Sequence, residues 1–208
     1  MKLESRYDVR VSASIRPGGR TAAVRDAVLR AAADLLVEDG LEGIELTAVA
    51  QRAGVGKSTV YRRWGSVPGL VADLLVDMAD TSSPRPSTGA LRSDLLTQAK
   101  LIRRTLADER QGRLFKAIIA AATCDALTAN ALAGFYRKRI DEMSPVVADA
   151  VARGEAPQGT DPAEVIRQVS APLYYRFLTD TDPLTVADAE RAVAVTMAAV
   201  EAGVFANG

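Results

Sequence analysis

Apolar residues recur every three or four positions along almost the whole chain, and no run alternates residue by residue. That period belongs to the α-helix, so an all-α fold is expected. The first stripe is Val24, Ala27, Val28, Ala31, Leu35 and Leu36, on a helix predicted over 21–39 and stopped by Gly40. Two shorter helices follow. Thr47 is the expected N-cap of one, Val49, Ala50 and Ala53 are its apolar face, and Gly54 is its stop. The other opens at Ser58-Thr59 and turns Val60, Tyr61 and Trp64 inward. Val55 is expected to fill the angle between the two. Two short helices joined by a tight turn with glycine form the helix-turn-helix pattern.

A fourth helix is predicted from Ser66, with Pro68 in its first turn, where a missing N–H costs nothing. Leu70, Val71, Leu74, Leu75 and Met78 make its inner face. Residues 81–89, rich in Ser, Thr and Pro, read as a loop. Five more helices are predicted at about 90–108, 111–123, 126–153, 162–178 and 185–205. The 126–153 helix carries Phe135, Tyr136, Ile140, Met143 and Val147 on one side. Its Arg137-Lys138-Arg139 run reads as a solvated face. Pro172 is expected to kink the penultimate helix.

Charge changes the picture locally but not globally. Lys plus Arg and Asp plus Glu are each 26, so the overall balance names no partner. From Leu46 to Ala72, however, there is no acid, against Arg52, Lys57, Arg62 and Arg63. A basic second helix is what docking in the DNA major groove requires. A solvated basic face on an ordinary helical hairpin would give the same charges. The chain has no histidine, which excludes His-based metal sites and His general bases. Its one cysteine, Cys124, excludes an intrachain disulfide and fits a reducing compartment. No apolar run approaches the ~18 residues of a membrane helix, and the N-terminus lacks a signal-peptide core, so a cytoplasmic protein is expected. An enzyme would have to work without an acid pair or a metal cluster. Gly-Val-Gly-Lys-Ser-Thr at 54–59 imitates a phosphate-binding loop, but that loop needs a glycine where Gln51 stands and a strand before it.

The order of residues from Thr47 to Trp64 closely resembles the signature of the TetR family of transcriptional repressors. The resemblance extends upstream to the helix beginning near Arg20 and downstream to Leu70. One departure is visible: Val67 stands where family members often carry a phosphate-binding Lys at the start of the fourth helix. Residues 1–19, polar and irregular with Lys2, Arg6, Arg10 and Arg16, are expected to form a flexible basic arm, or else a tail with no role. The resemblance implies a three-helix helix-turn-helix DNA-binding domain at 20–66. A helical ligand-binding and dimerisation domain would follow at 67–208. It implies that Thr47 meets a phosphate and that Lys57, Ser58 and Thr59 face base edges. Tyr61 would set its hydroxyl on a phosphate, Arg62 would reach a base or phosphate, and Arg63 a phosphate. Arg16 and Arg20 would reach the minor groove or adjacent phosphates. Trp64 is read as core.

The family also implies a ligand cavity among the middle helices. Phe115, Ile119, Cys124, Phe135, Met143 and Tyr174 are the candidate lining. With no His and no buried acid cluster, the expected effector is an apolar or amphipathic small molecule of unknown identity. No cofactor or metal is expected. A homodimer is expected through the last two helices, the alternative being that their stripes are intrachain core. Val165, Val169, Leu173 and Phe177 would lie on one, and Val186, Val193, Met197, Val200 and Val204 on the other. The expected function is a ligand-responsive repressor on a palindromic operator. The competing reading is a helical protein-interaction module whose basic hairpin is incidental.

Overall fold

A computed structural model of the chain describes residues 19–40, 44–80, 86 and 88–206. The described residues form α1 (Gly19–Asp39), α2 (Leu46–Ala53), α3 (Lys57–Trp64), α4 (Val67–Asp80), α5 (Leu91–Ala107), α6 (Glu109–Cys124), α7 (Ala126–Ala152), α8 (Pro162–Thr179) and α9 (Val186–Glu201). Among them there is no strand, only an isolated bridge between Thr160 and Ala206. The all-α expectation therefore holds. Arg16 and the rest of 1–18 lie outside the described residues, as does most of the 81–89 loop.

Helices α1 to α3 form a head, and α4 lies between it and the body, against α1 on one side and α7 on the other. α1 buries a wider face than its stripe predicts, because it packs on α2, α4 and α6 together. Leu29, Ala32 and Ala33 are buried beside the expected Val28, Ala31, Leu35 and Leu36. Helices α5 to α9 form the body, and α7 runs along α4, α6 and α8. The Arg110–Asp34 ion pair joins α6 to α1.

From α6 onward, helix starts follow side-chain caps. Asp108, Asp125 and Asp161 cap α6, α7 and α8 with their carboxylates. Thr185 and Asp188 form a full capping box on α9. α9 ends at Glu201, four residues before the predicted end, because Gly203 turns the chain at φ 70°. The expected proline lies inside α8 at Pro172, and a second, Pro145, lies inside α7.

Candidate nucleic-acid interface

The turn after α2 is built by backbone hydrogen bonds that only a left-handed residue can close. Gly54 sits at φ 68°, ψ 30°. Its N–H donates to Gln51 O at 3.2 Å, and the Val55 N–H donates to Ala50 O at 3.0 Å. This paired pattern is the Schellman motif, and Val55 supplies its apolar contact by packing on the core. Gly56 then caps α3 with no side chain of its own. α3 starts at Lys57, one residue before the predicted Ser58.

The start of α2 also differs from the expectation. Glu45 is the N-cap residue, without a side-chain cap bond, and Thr47 lies in the first turn. The helix starts two residues earlier because Leu46 is buried. The Thr47 hydroxyl donates to Glu45 Oε2 at 3.1 Å. An acid therefore stands beside a residue expected to meet phosphate.

α3 buries a narrow face, Val60 and Trp64, against the head. Lys57, Ser58, Tyr61, Arg62 and Arg63 are exposed, and Thr59 is half-buried. Tyr61 differs from the expectation of an inward ring with its hydroxyl on a phosphate: nearly half its surface is open, so the ring lies on the outer face. Arg63 turns back, with Nη1 3.4 Å from Thr21 O and its guanidinium 5.1 Å from the Trp64 ring centroid. Arg52 is held in a two-pronged pair with Glu38, at 3.0 and 2.7 Å. Hence Lys57 and Arg62, with Ser58 and Tyr61 between them, make up the outward basic face. Arg20 lies in the first turn of α1.

A polar hub behind α3 was not visible in the sequence. Asp73 on α4 accepts the Trp64 indole N–H at 2.9 Å and Arg25 Nη2 at 2.8 Å, while Arg25 Nη1 reaches Asp77 at 2.5 Å. Burial pushes the Asp73 carboxyl up, but the hydrogen bonds from Arg25 and Trp64 outweigh it and hold the group below its ordinary value. α1, α3 and α4 are thus tied at one carboxylate. Its only sequence signal is that Asp73 is the first acid after the acid-free stretch. At the α3–α4 junction the Ser66 hydroxyl accepts the Gly69 N–H at 3.2 Å. A Cβ added at Gly69 would lie 2.4 Å from the Trp64 carbonyl oxygen, so the helices meet too closely for a side chain.

In the body, rings line up across three helices. Phe115 of α6 and Phe135 of α7 have centroids 5.8 Å apart, Phe135 and Tyr136 5.3 Å, and Tyr136 and Tyr174 of α8 5.4 Å. Burial pushes both tyrosine hydroxyls up, Tyr174 furthest. Of the expected lining, Phe115, Phe135 and Met143 are buried, and Ile119 and Tyr174 half-buried. Cys124 is exposed at the last residue of α6 and does not belong with them. Tyr136 does. A separate groove of about 380 Å³ lies between the end of α1 and the start of α6. It is lined by Asp34, Val37, Glu38, Asp108, Glu109, Arg110 and Arg113, and is charged rather than apolar.

The expected dimer stripe turns out to be mostly internal. Val165, Val169, Leu173, Phe177, Val193, Met197 and Val200 are buried within the chain, where α8 and α9 pack on each other and on α5. Only Val186 and Val204 are exposed. The opposite face carries the exposed apolar side chains: Tyr175 (69% exposed) and Leu178 on α8, and Val195 on α9.

Known proteins share this arrangement. The family model for "Bacterial regulatory proteins, tetR family" matches residues 28–74, and that for "Tetracyclin repressor-like, C-terminal domain" matches residues 85–196. The uncharacterized HTH-type transcriptional regulator YdeS of Bacillus subtilis (strain 168) is 29% identical over 157 residues, covering 75% of this chain and 79% of YdeS. Salmonella enterica GusR superposes with a TM-score of 0.72 at 19% identity, covering 86% of this chain and 95% of GusR. A SmeT–triclosan complex superposes at 0.62 and 21% identity, covering 89% and 96%. The second family model alone spans more than half of the chain, and the first falls on the helix-turn-helix just described. The chain belongs to the TetR family of transcriptional regulators, with a helix-turn-helix DNA-binding domain at its N-terminal end.

Proposed function

We propose that the chain is a repressor that binds a palindromic operator as a homodimer and is released by a small aromatic, largely apolar molecule. The observation that carries this reading is the outward face of α3. Lys57, Ser58, Tyr61 and Arg62 are exposed together on a helix with no acid among its residues. Lys suits guanine acceptors, and Tyr61 and Arg62 suit phosphates or base edges. One eight-residue helix reads few base pairs, so two heads at a fixed spacing supply both affinity and specificity. The division falls after residue 66, with α4 carrying motion between head and body.

For the dimer we propose the outer face of α8 and α9, centred on Tyr175, Leu178 and Val195, in place of the stripe that the chain buries itself. Exposed small residues between them, Ala171, Ala194 and Ala198, allow close helix approach. For the effector we propose the neighbourhood of Phe115, Phe135, Tyr136 and Tyr174, where rings offer stacking and two tyrosine hydroxyls offer hydrogen bonds. An effector shifts operator affinity only by its difference in affinity for the two head arrangements, typically about 1–3 kcal/mol.

The test is a titration of a labelled duplex pool at rising salt. Binding should fall with a log–log slope of about −0.9 per neutralised phosphate, and Lys57→Ala and Tyr61→Ala should weaken it. A flat salt response, or variants equal to wild type, overturns the docking. Triclosan serves as the first aromatic probe for release.

A further inference from the structure

The Arg137-Lys138-Arg139 run is not simply a solvated face. Arg137 is exposed, but its two neighbours reach α4. Lys138 Nζ donates to Asp80 Oδ1 at 2.5 Å. Arg139 Nη2 donates to the main-chain oxygen of Met78 at 2.8 Å, and its Nη1 to Glu142 Oε2 at 2.8 Å. The Arg139 guanidinium also lies 5.4 Å from the centroid of the Phe135 ring.

α4 needs these cations. Its last turn has no basic residue and ends on Asp77 and Asp80, at the negative end of the helix dipole. Arg25 neutralises Asp77, and Lys138 neutralises Asp80. The Met78 carbonyl lies in the final turn, where the helix itself supplies no donor, and Arg139 supplies one. The middle of α4 carries Asp73, one turn before Asp77, and its carboxylate holds Trp64 of the reading helix. One side chain therefore touches the linker helix and a ring of the aromatic row at once.

We propose that Arg139 is a positioning residue for the DNA-reading head: it caps the last turn of α4 and makes that hold depend on the packing of Phe135. Displacing Phe135 removes the ring that steadies the guanidinium. The cap on Met78 then loosens, and α4 moves at the end that faces the body. The consequence for DNA rests on the regulator reading above; the cap itself does not.

The experiment is amide hydrogen exchange over 76–80 in the full chain without DNA. The variants are Arg139→Met, Arg139→Lys, Phe135→Leu and the double Phe135→Leu/Arg139→Met. Arg139→Met should speed exchange there by about 2- to 30-fold. Arg139→Lys should recover part of the protection, since it restores charge but not the planar fork. Phe135→Leu should speed exchange in the wild-type background and add nothing to Arg139→Met. Exchange unchanged in Arg139→Met overturns the proposal, as does an equal Phe135→Leu effect in both backgrounds. Should Arg139→Met not fold, the comparison of Arg139→Lys with wild type and with Phe135→Leu/Arg139→Lys decides it. Affinity for a selected duplex is the second readout, with Arg139→Met weaker by a similar factor. A wild-type chain that binds no duplex would overturn the regulator reading and leave the exchange result to decide the role of Arg139.

Discussion

Asp73 ties α1 and α3 to α4 at a single carboxylate. It is half-buried, yet it takes hydrogen bonds from both α1 and α3. Asp73→Asn keeps the shape and removes the charge that Arg25 needs, so a loss of about 1–3 kcal/mol is expected in thermal unfolding. The pH dependence follows from the lowered folded value. The unfolded carboxyl titrates near about 3.9. The contribution of Asp73 is therefore complete above that pH and is lost as pH falls through the lower folded value. The acid limb of stability against pH should be shallower in Asp73→Asn; an unchanged limb would mean that the carboxylate contributes nothing. Glu45 makes a second prediction at this scale. Replacing it with Gln removes a negative charge beside Thr47 and should tighten duplex binding about 2- to 5-fold at low salt, measured by anisotropy. Sequence reading found Trp64 as core but not its partner, because the Asp73 contact depends on how α4 crosses α3. For the same reason it gave Thr47 a capping role that the buried Leu46 shifts to Glu45.

The helix-turn-helix is the most legible element, since its determinants are local. Val49, Ala50, Val60 and Trp64 mark the buried faces by spacing alone, and Gly54 marks the turn. Gly54→Ala meets no atom but must hold a left-handed backbone, which costs about 1–2 kcal/mol. Gly69→Ala has ordinary helical backbone but meets the Trp64 carbonyl. Both should lower duplex affinity, but only Gly69→Ala should alter the emission of Trp64, the sole tryptophan. Equal spectra for the two would contradict the close packing of α3 on α4. The α8 and α9 stripes were legible as buried faces and misread as to what buries them. Amphipathic period states that a face leaves water; it does not state whether the cover is the same chain or another copy. Val165, Val169, Leu173, Val193, Met197 and Val200 found their cover at home.

At the scale of the molecule, the fold class and the order of head and body were legible, and the neighbourhood proposed for the effector was not. Rings and a cysteine on neighbouring helices carry no mark of which way they point; Cys124 faces out, while Tyr136, first read only as stripe, joins the row. The exposed face of α8 and α9 separates two outcomes. Tyr175→Glu or Val195→Glu should dissociate a dimer in sedimentation velocity while leaving helix content intact. Met197→Glu should unfold the chain instead, because a charge would be buried without a partner. Monomeric wild type at micromolar concentration would contradict the proposed interface.

The most direct measurement is a selection of the purified chain against a pool of random duplexes, with sequencing of what is retained. An enriched palindrome is expected, with half-sites about one helical turn apart or a multiple of it. Lys57→Ala and Arg62→Ala should weaken binding, relaxing preference at any base that either side chain reads. A single unpaired half-site would contradict the dimer. No enrichment at low salt would contradict a DNA-reading face on α3 altogether.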